Sequence, residues 1–474
     1  MKRMLVLVML IFIGAFVVTA QNDTDTCPTI VEQVLETVDE ACTTLGRNQI
    51  CYGNNLIDAR NFQDVPISTF ASVGDTTDVL EIASLVTAPF DLSDETWGIA
   101  MMALQANLPD TIPGQNVIFV VFGDAEISNQ VVPEDQIISN LEATSTSNVN
   151  LRAGTGTTFD VVGTLTTNEV ITINGRNSAG DWLRLETEDG TAWVFASLIS
   201  TEGDVSLLPV VGGDDSATFS APMQAFSLST GLGQSACDEV PPDGVLVQAP
   251  TETTVNFLIN GVEVQVGSTA FLQVREGVLY VSTFDGSVTI TSAGESQIIE
   301  PGYFVRASDD TPPSDPLPYD YDGFWFMPTW LLPENVGIPL LVGGNSNWQD
   351  SYIEVDAGDT FTLHTGGLIN FWDFCETQKV ANGQPDIDCS TLIFGPAGGD
   401  PSNESGESLP SDTSVFPAPD APPHSLVGRI GDSTFYVGDG GTFTAPESGT
   451  LSFRANDIDQ NNFGFFFVRV IVEE

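Results

Sequence analysis

Four oxygen-bearing side chains are crowded into one short stretch late in the sequence. They lie within six residues between two predicted strands, SFRA and GFFFVRV, and are Asp457, Asp459, Asn461 and Asn462. Calcium takes six to eight oxygen ligands at about 2.3–2.6 Å and accepts carboxylates and amide carbonyls. The spacing therefore predicts a calcium site in a loop between strands. The alternative is an Asx-rich turn whose side chains only shape the loop.

The parts of the common catalytic sites are missing from the sequence. It has only two histidines, His364 and His424, and no G-x-S-x-G, H-E-x-x-H or P-loop pattern. A pair of carboxylates could cleave a glycosidic bond, but spacing singles out no pair among the 65 acidic residues. We therefore expect a protein that is not an enzyme.

The charge of the chain is strongly one-sided. It has 65 acidic and 13 basic residues, which gives a formal net charge of −52. Such a surface repels phosphate backbones, so we expect no nucleic-acid partner. We interpret most of this charge as a means of solubility outside the cell. The more specific alternative is that the acidic residues bind cations such as calcium.

The first twenty residues have the pattern of an export signal. Lys2 and Arg3 precede an apolar run from 4 to 18, and small residues follow up to Ala20. This order is typical of a secretory signal peptide, which we predict over residues 1–20. A membrane anchor is the alternative, but the run is short for a full span. We expect a secreted, extracellular or cell-surface protein with no transmembrane segment in the mature chain.

Six cysteines remain after the predicted signal. An even number in an exported chain indicates disulfide bonds. Cys375 and Cys389 are close in sequence and far from the others, so we pair them. The other four, which are Cys27, Cys42, Cys51 and Cys237, allow three pairings. In each of them Cys237 pairs with one of the first three cysteines, so a disulfide bond joins the region after the predicted barrel to the region before it.

A single helix is predicted, over residues 28–45. Its apolar residues recur at helical spacing, and Pro28 suits a first turn. Residues 97–108 and 117–122 are the better strand candidates that follow. We therefore assign residues 21–140 to a disulfide-linked α+β region.

Five short strands are predicted between residues 149 and 199, with turn residues at each break. Their expected core residues are Val149, Leu151, Val161, Val162, Val170, Ile171, Ile173, Trp182, Leu183, Leu185, Trp193, Val194 and Phe195. This rhythm predicts a small closed β-barrel over residues 145–200. Trp182 and Trp193 are the candidate ligand-binding rings, although we expect both mainly to fill the core or its rim.

The same stretch resembles the bacterial SH3 (SH3b) family. The shared elements are V-N-L-R, V-V-G-T-L, W-L-R-L and D-G-x-x-W-V. Ala192 and Asn168 stand where that family usually has glycine. The resemblance implies an SH3-like barrel that acts as a binding module.

Residues 221–307 alternate apolar and polar positions and contain the hairpin signal Asn260-Gly261. The run GSTAFLQVREGVLYVSTFDGSVTI followed by IIEPGYFV resembles the FecR-type domain of bacterial envelope proteins. That resemblance implies a β-stack or sandwich with no enzymatic activity. Residues 308–335 are rich in Pro and Asp and predict an extended linker, except that FWFMPTWLLP should pack on a neighbouring domain.

Residues 336–474 resemble the LecA-like (PA-IL-like) lectins. The elements in common include I-x-V-x-x-G-D, L-V-G-R-I-G, A-P-x-x-G-x-L and N-D followed by N-N-x-G. The resemblance implies a β-sandwich of jelly-roll type in which calcium bridges protein and sugar hydroxyls. It places Asp457, Asn461 and Asn462 at the calcium ligands, while Asp459 is added from ligand chemistry alone.

Together these patterns predict a mainly β, multi-domain protein with one N-terminal helix. The expected function is non-enzymatic binding of cell-wall or surface glycans, with calcium as the expected cofactor. The alternative is a structural envelope protein that binds other proteins through its β modules.

Overall fold

The fold is mainly β, as predicted. The computed structural model describes residues 27–93, 96–106, 116–131, 141–157, 159–177, 179–187, 190–201, 203–208, 221–231, 237, 240–345, 347–370, 393–398, 413–457 and 462–472. The predicted signal peptide, residues 1–20, lies outside them. Within this part of the chain no helix has the length and apolarity to cross a membrane.

The predicted helix is present as α1 (Cys27–Cys42), with Pro28 in its first turn. Seven strands follow before the barrel: β1 (Gln49–Asn54), β2 (Ile57–Arg60), β3 (Thr76–Asp78), β4 (Ser84–Thr87), β5 (Ile99–Leu104), β6 (Val117–Phe122) and β7 (Ala125–Asn129). The barrel contains β8 (Leu141–Ser145), β9 (Val149–Arg152), β10 (Val161–Leu165), β11 (Val170–Arg176), β12 (Trp182–Thr187), β13 (Gly190–Phe195) and β14 (Ile199–Thr201).

Ten strands continue the chain after the barrel. They are β15 (Ala225–Thr230), β16 (Gly244–Gln248), β17 (Val255–Ile259), β18 (Val262–Val266), β19 (Thr269–Arg275), β20 (Val278–Asp285), β21 (Val288–Ser292), β22 (Glu295–Ile299), β23 (Tyr303–Ala307) and β24 (Leu317–Pro318). At the β17–β18 turn both Asn260 and Gly261 have positive φ, 50° and 81°. This conformation is the one that the Asn-Gly pair predicts for a hairpin.

Strands from before and after the barrel share two sheets. The nine-stranded sheet has the order β24-β23-β20-β19-β16-β6-β5-β1-β3, and the eight-stranded sheet has the order β2-β4-β7-β15-β17-β18-β21-β22. A large apolar core that draws on both sheets lies between them. The prediction treated residues 21–140 and 221–307 as separate domains, and their interleaved strands correct that division. We call this body the two-sheet unit.

The barrel interrupts the two-sheet unit. Strands β7 and β15 flank it and pair directly and antiparallel, with Ala125 opposite Thr230. The barrel has its own sheet, in the order β10-β9-β13-β12-β11-β8-β14, and its own apolar core. It is therefore an insertion between two neighbouring strands.

A third layer covers the outer face of the nine-stranded sheet. It consists of α1 and residues 319–338, the aromatic segment, in which Phe324, Met327 and Leu331 are buried. Strands β5 and β6 are buried along their whole length because both of their faces are covered. The packing of the aromatic segment on its neighbour was predicted. The predicted extended linker over 308–335 is corrected, because this stretch contains β24 and single-turn 3₁₀ helices at Tyr321–Gly323 and Thr329–Leu331.

The C-terminal part is a β-sandwich, as predicted. Its strands are β25 (Leu340–Gly343), β26 (Gln349–Val355), β27 (Thr360–Asn370), β28 (Ile393–Phe394), β29 (Leu426–Ile430), β30 (Ser433–Tyr436), β31 (Gly440–Thr444), β32 (Gly449–Ala455) and β33 (Phe463–Val472). One sheet has the order β25-β33-β27-β28 with β31 on β27, and the other has the order β26-β32-β29-β30. Their facing side chains form a separate apolar core.

Two disulfide bonds join the first four cysteines. Cys27 pairs with Cys237, and Cys42 pairs with Cys51. The sequence left this choice open but required Cys237 to join the early trio, and that requirement is confirmed. Cys375 and Cys389 lie outside the described residues, so their pairing stays a prediction.

Candidate functional site

The predicted cation loop connects β32 to β33 in the C-terminal sandwich. Of its four candidate ligands, the structure describes Asp457 and Asn462, while Asp459 and Asn461 lie outside the described residues. Both described side chains are buried, with Asp457 9% exposed and Asn462 4% exposed. The loop therefore begins and ends with polar groups held inside the protein.

Asn456 fixes the start of this loop. Its side chain is fully buried, and its oxygen accepts a hydrogen bond from the Ala418 amide at 3.0 Å. Its Nδ2 donates to the carbonyl oxygens of Ala418, Ala421 and Pro422 at 3.0–3.2 Å. A buried amide that satisfies several backbone groups holds those segments at fixed positions. The backbone next to Asp457 is thus attached to the 418–422 segment.

Three polar groups surround the Asp457 carboxylate and its backbone. Asn462 Nδ2 donates to Asp457 Oδ2 at 2.6 Å, and His424 Nε2 lies 3.7 Å from Oδ1. Arg454 Nη2 donates to the backbone carbonyl of Asp457 at 3.2 Å. Burial lowers the pKa of Arg454, and the nearby charge of Asp457 opposes that effect. The buried carboxylate is thus held by the Asn462 amide on one oxygen and lies close to the His424 imidazole on the other.

Asn462 contacts Asp457 through its nitrogen in this structure. Its Nδ2 also donates to the Gly344 carbonyl at 3.1 Å, and its backbone amide donates to Asn345 Oδ1. Two donor contacts define which end of the amide faces Asp457. Asn462 therefore positions the carboxylate, and its amide would have to turn to present oxygen to a cation beside Asp457.

The described residues supply only part of a calcium shell. Among them no cluster of three or more His, Cys, Asp or Glu side chains is arranged to hold a metal. The Asp457 carboxylate is chemically suited to calcium, which also accepts amide and carbonyl oxygens. The other candidate carboxylate, Asp459, lies in the undescribed stretch 458–461.

Residues far away in sequence complete this neighbourhood. His424 lies beside Asp457, and the Phe394 ring stacks on it with centroids 5.5 Å apart. Trp348 lies under two guanidinium groups, at 4.7 Å from Arg429 and 5.9 Å from Arg454. These residues carry no local motif in the sequence, and only the folded sandwich brings them together.

In the barrel, both tryptophans lie on the face opposite its core. Leu183 opposite Val194, and Leu185 opposite Ala192, point into the core. Side chains alternate along a strand, so Trp182 and Trp193 point the other way. They are still only 6% and 8% exposed, and Trp182 packs edge-on against Phe195 at 5.5 Å. Rings covered to this extent offer little surface to a ligand.

The exposed apolar surface of the barrel lies around β10. Phe159 is 49% exposed and Val161 is 50% exposed, and Val162 is exposed beside them. Arg152 Nη1 donates to the Phe159 carbonyl at 2.8 Å, which fixes the backbone of this edge. Val161, Val162, Val170 and Phe195 were predicted as core residues, and this prediction is wrong because all four are exposed. Only Leu165 of β10 enters the barrel core.

Comparison with known proteins identifies one part of the chain. No curated protein matches the sequence. A solved structure described as "EclA N-terminal domain; PllA-like lectin" is 24% identical, with 28% of this chain and 95% of that chain covered and a TM-score of 0.20. Residues 147–200 match the family described as the bacterial SH3 domain. The inserted barrel is therefore similar to bacterial SH3 domains over residues 147–200.

Proposed function

We propose that this chain is a non-enzymatic, exported binding protein that attaches to cell-wall glycan through its barrel. The observation that carries the proposal is the bacterial SH3 domain at residues 147–200. Its exposed edge at Phe159, Val161 and Val162 supplies an apolar contact surface. Exposed apolar side chains that group together on a surface are typical of interaction sites. We assign the ligand contact to this edge because both tryptophans are covered.

Binding to purified peptidoglycan tests this assignment. The full chain should sediment with the insoluble polymer, and Val161→Ser should reduce the bound fraction severalfold. Ile298→Ser is the matched control, because Ile298 is an exposed β-branched residue on β22 in the two-sheet unit. Equal binding by the two variants would contradict the β10 edge as the contact surface. Failure of the parent chain to bind, with retention of envelope proteins instead, would favour the structural alternative.

The C-terminal sandwich is the second proposed contact, with calcium at the β32–β33 loop. The buried Asp457 carboxylate supports the proposal, and Asp459 and Asn461 would add ligands from the same loop. Bound calcium would supply a positive centre that can also take sugar hydroxyls as ligands. Asn462 and His424 would hold Asp457 in place from either side. The class of sugar is the galactose type that the sequence resemblance implies.

Calcium titration of the full chain tests this second contact. A cation that binds only the folded state stabilises it by RT ln(1 + [L]/Kd), about 2.7 kcal/mol at a hundredfold excess over Kd. Differential scanning calorimetry should therefore show the sandwich transition at higher temperature in calcium than in EDTA. Asp457→Asn should remove the difference. Asp439→Asn, a change at an exposed carboxylate of the same sandwich, should keep it. Identical melting of the parent chain in calcium and EDTA would make the loop a structural turn.

A further inference from the structure

The two-sheet unit contains a cleft that neither proposed contact uses. It lies between the end of α1, the outer face of β5 and β6, and the aromatic segment, and its volume is about 560 Å³. Ligand pockets commonly measure about 300–1,000 Å³. The cleft is therefore large enough for a small organic molecule.

The floor of the cleft is apolar and its wall is aromatic. Met101 and Ile118 of the nine-stranded sheet and Leu331 of the aromatic segment form the floor. Trp330 lines the wall and is 43% exposed, which is unusual for so large an apolar ring. An exposed indole above an apolar floor can cover an apolar body or the charged head of a cation.

The cleft presents two carboxylates and, within the described part of the chain, one buried acceptor without a partner. Asp39 and Glu334 bring two exposed carboxylates, and Glu334 accepts one hydrogen bond from the Thr251 hydroxyl. Asn116 Oδ1 is buried and has no hydrogen-bond partner among the described residues. None of the described residues that line the cleft is Lys, Arg or His. A buried acceptor without a partner carries a desolvation cost that a donor on a ligand would remove.

Gln248 holds the wall in place and is already satisfied. Its Nε2 donates to Thr269 Oγ1 at 3.0 Å and to the Glu334 carbonyl at 2.8 Å. Its Oε1 accepts from the Glu334 amide at 2.9 Å. The two hydrogen bonds to Glu334 fix the backbone that carries its carboxylate. The side of the cleft that carries the Glu334 carboxylate is therefore preorganised.

The end of α1 adds a further negative potential. The helix ends at Cys42, which lines the cleft, and its last turn contains no basic residue. A helix C-terminus carries roughly half an elementary negative charge in its unpaired carbonyls. The Cys42–Cys51 disulfide attaches this end to β1. Helix, carboxylates and the net charge of −52 all favour a cationic ligand.

We propose that this cleft binds an organic cation, an ammonium group carried on an apolar stem. The stem would lie on the floor of Met101, Ile118 and Leu331. The ammonium group would face Asp39, Glu334 and Asn116 Oδ1, with Trp330 beside it. A bare metal ion would leave the apolar floor without a role, and an anion would be repelled by the carboxylates of Asp39 and Glu334.

Calorimetric titration of the full chain with hexylammonium tests the proposal. Hexanol and hexanoate are the neutral and anionic probes of the same length. Hexylammonium should bind at one site, and the other two should bind at least about tenfold more weakly, since only a cation gains the ion pair and the contact with the indole. Equal binding of hexanol, or no saturable binding of hexylammonium, would overturn the proposal.

Variants locate the site. Asp39→Asn combined with Glu334→Gln should weaken hexylammonium binding about tenfold, because both opposing charges are lost. Glu40→Gln, the adjacent exposed carboxylate outside the cleft, should change it less than about twofold. Thr43→Lys adds a repelling charge at the exposed rim and should abolish binding, while Thr44→Lys outside the lining should not. Circular dichroism confirms that each variant is folded, and binding that is indifferent to Asp39, Glu334 and Thr43 would contradict the assignment.

Discussion

At the scale of single residues, the cation loop depends on contacts that are distant in sequence. Asn456 holds the 418–422 segment, and His424 donates its backbone amide to the Asn456 carbonyl at 2.8 Å. The His424 backbone has a positive φ of 58°, which is uncommon outside glycine. This conformation brings the imidazole to the Asp457 carboxylate. The site is thus assembled by backbone geometry as well as by its own side chains.

The burial of Trp193 leads to a prediction about the barrel. Trp193→Ala removes a ring that is 8% exposed and should destabilise the domain by about 3–5 kcal/mol. Phe159→Ala, which removes a half-exposed ring, should cost less than about 1 kcal/mol. Urea unfolding monitored by near-UV circular dichroism would compare them. A Trp193→Ala chain of unchanged stability that no longer binds peptidoglycan would show that this ring is a ligand platform.

Asp457 was predictable because carboxylates and amides within a few residues carry a chemical signal. The positions of its partners were not predictable. Asn345 lies 117 residues before Asn462, which it contacts, and His424 lies 33 residues before Asp457. The exposure of Val161 was also missed. Alternation assigns a strand two faces, but it does not say which face a barrel turns inward.

At the scale of elements, single strands were easier to predict than their partners. The runs at β5 and β6 are apolar throughout, and each was recognised as a strand. Their place in the sheet beside β16 follows from the pairing of β6 with β16, across more than a hundred residues. Local periodicity carries no information about such long-range contacts. For this reason one interleaved unit was predicted as two domains.

An ion pair joins the two-sheet unit to the sandwich. Arg469 on β33 contacts the Asp285 carboxylate at the end of β20, and Ser268 donates to the same carboxylate at 2.6 Å. Burial alone would raise the pKa of Asp285, but the hydroxyl and the guanidinium outweigh it, so the pKa is lowered. A lowered pKa means that the ionised carboxylate is more stable in the folded protein than in the unfolded chain.

The sign of the pH dependence follows from that direction. The stabilisation by Asp285 should be complete above the unfolded pKa, about 3.9, and should disappear as the pH falls through the lower folded value. Asp285→Asn should therefore lower the melting temperature at neutral pH, and the difference from the parent chain should shrink in acid. Calorimetry across pH would measure it. A difference that stays constant from neutral to acid pH would show that the carboxylate charge does not contribute.

At the scale of the whole molecule, the chain is organised around the inserted barrel. Strands β7 and β15 leave and re-enter the two-sheet unit side by side, so the domain is added without breaking the sheet. The Cys27–Cys237 bond joins the start of α1 to the segment between β15 and β16. The sequence predicted that such a bond would join the regions before and after the barrel, because Cys237 had no other partner outside the isolated pair.

The two cysteines outside the described residues allow a further prediction. Cys375 and Cys389 should form a local disulfide, since the other four cysteines are already joined to one another. A peptide map of the chain under non-reducing conditions should recover one peptide pair that contains both residues. Recovery of either residue with a free thiol or linked to a second chain would contradict it.

The two described disulfides should differ in their effect on stability. Cross-linking restricts the unfolded chain more when the closed loop is longer, and the sequence separations here are 210 and 9 residues. The chain-entropy relation gives about 5 kcal/mol for the long loop and about 3 kcal/mol for the short one. Replacement of Cys27 and Cys237 by Ser should therefore lower the urea midpoint of the two-sheet unit more than replacement of Cys42 and Cys51. Each double variant would be compared with the parent chain by fluorescence without reductant. The reverse order would show that anchoring the end of α1 matters more to this fold than joining the two halves around the barrel.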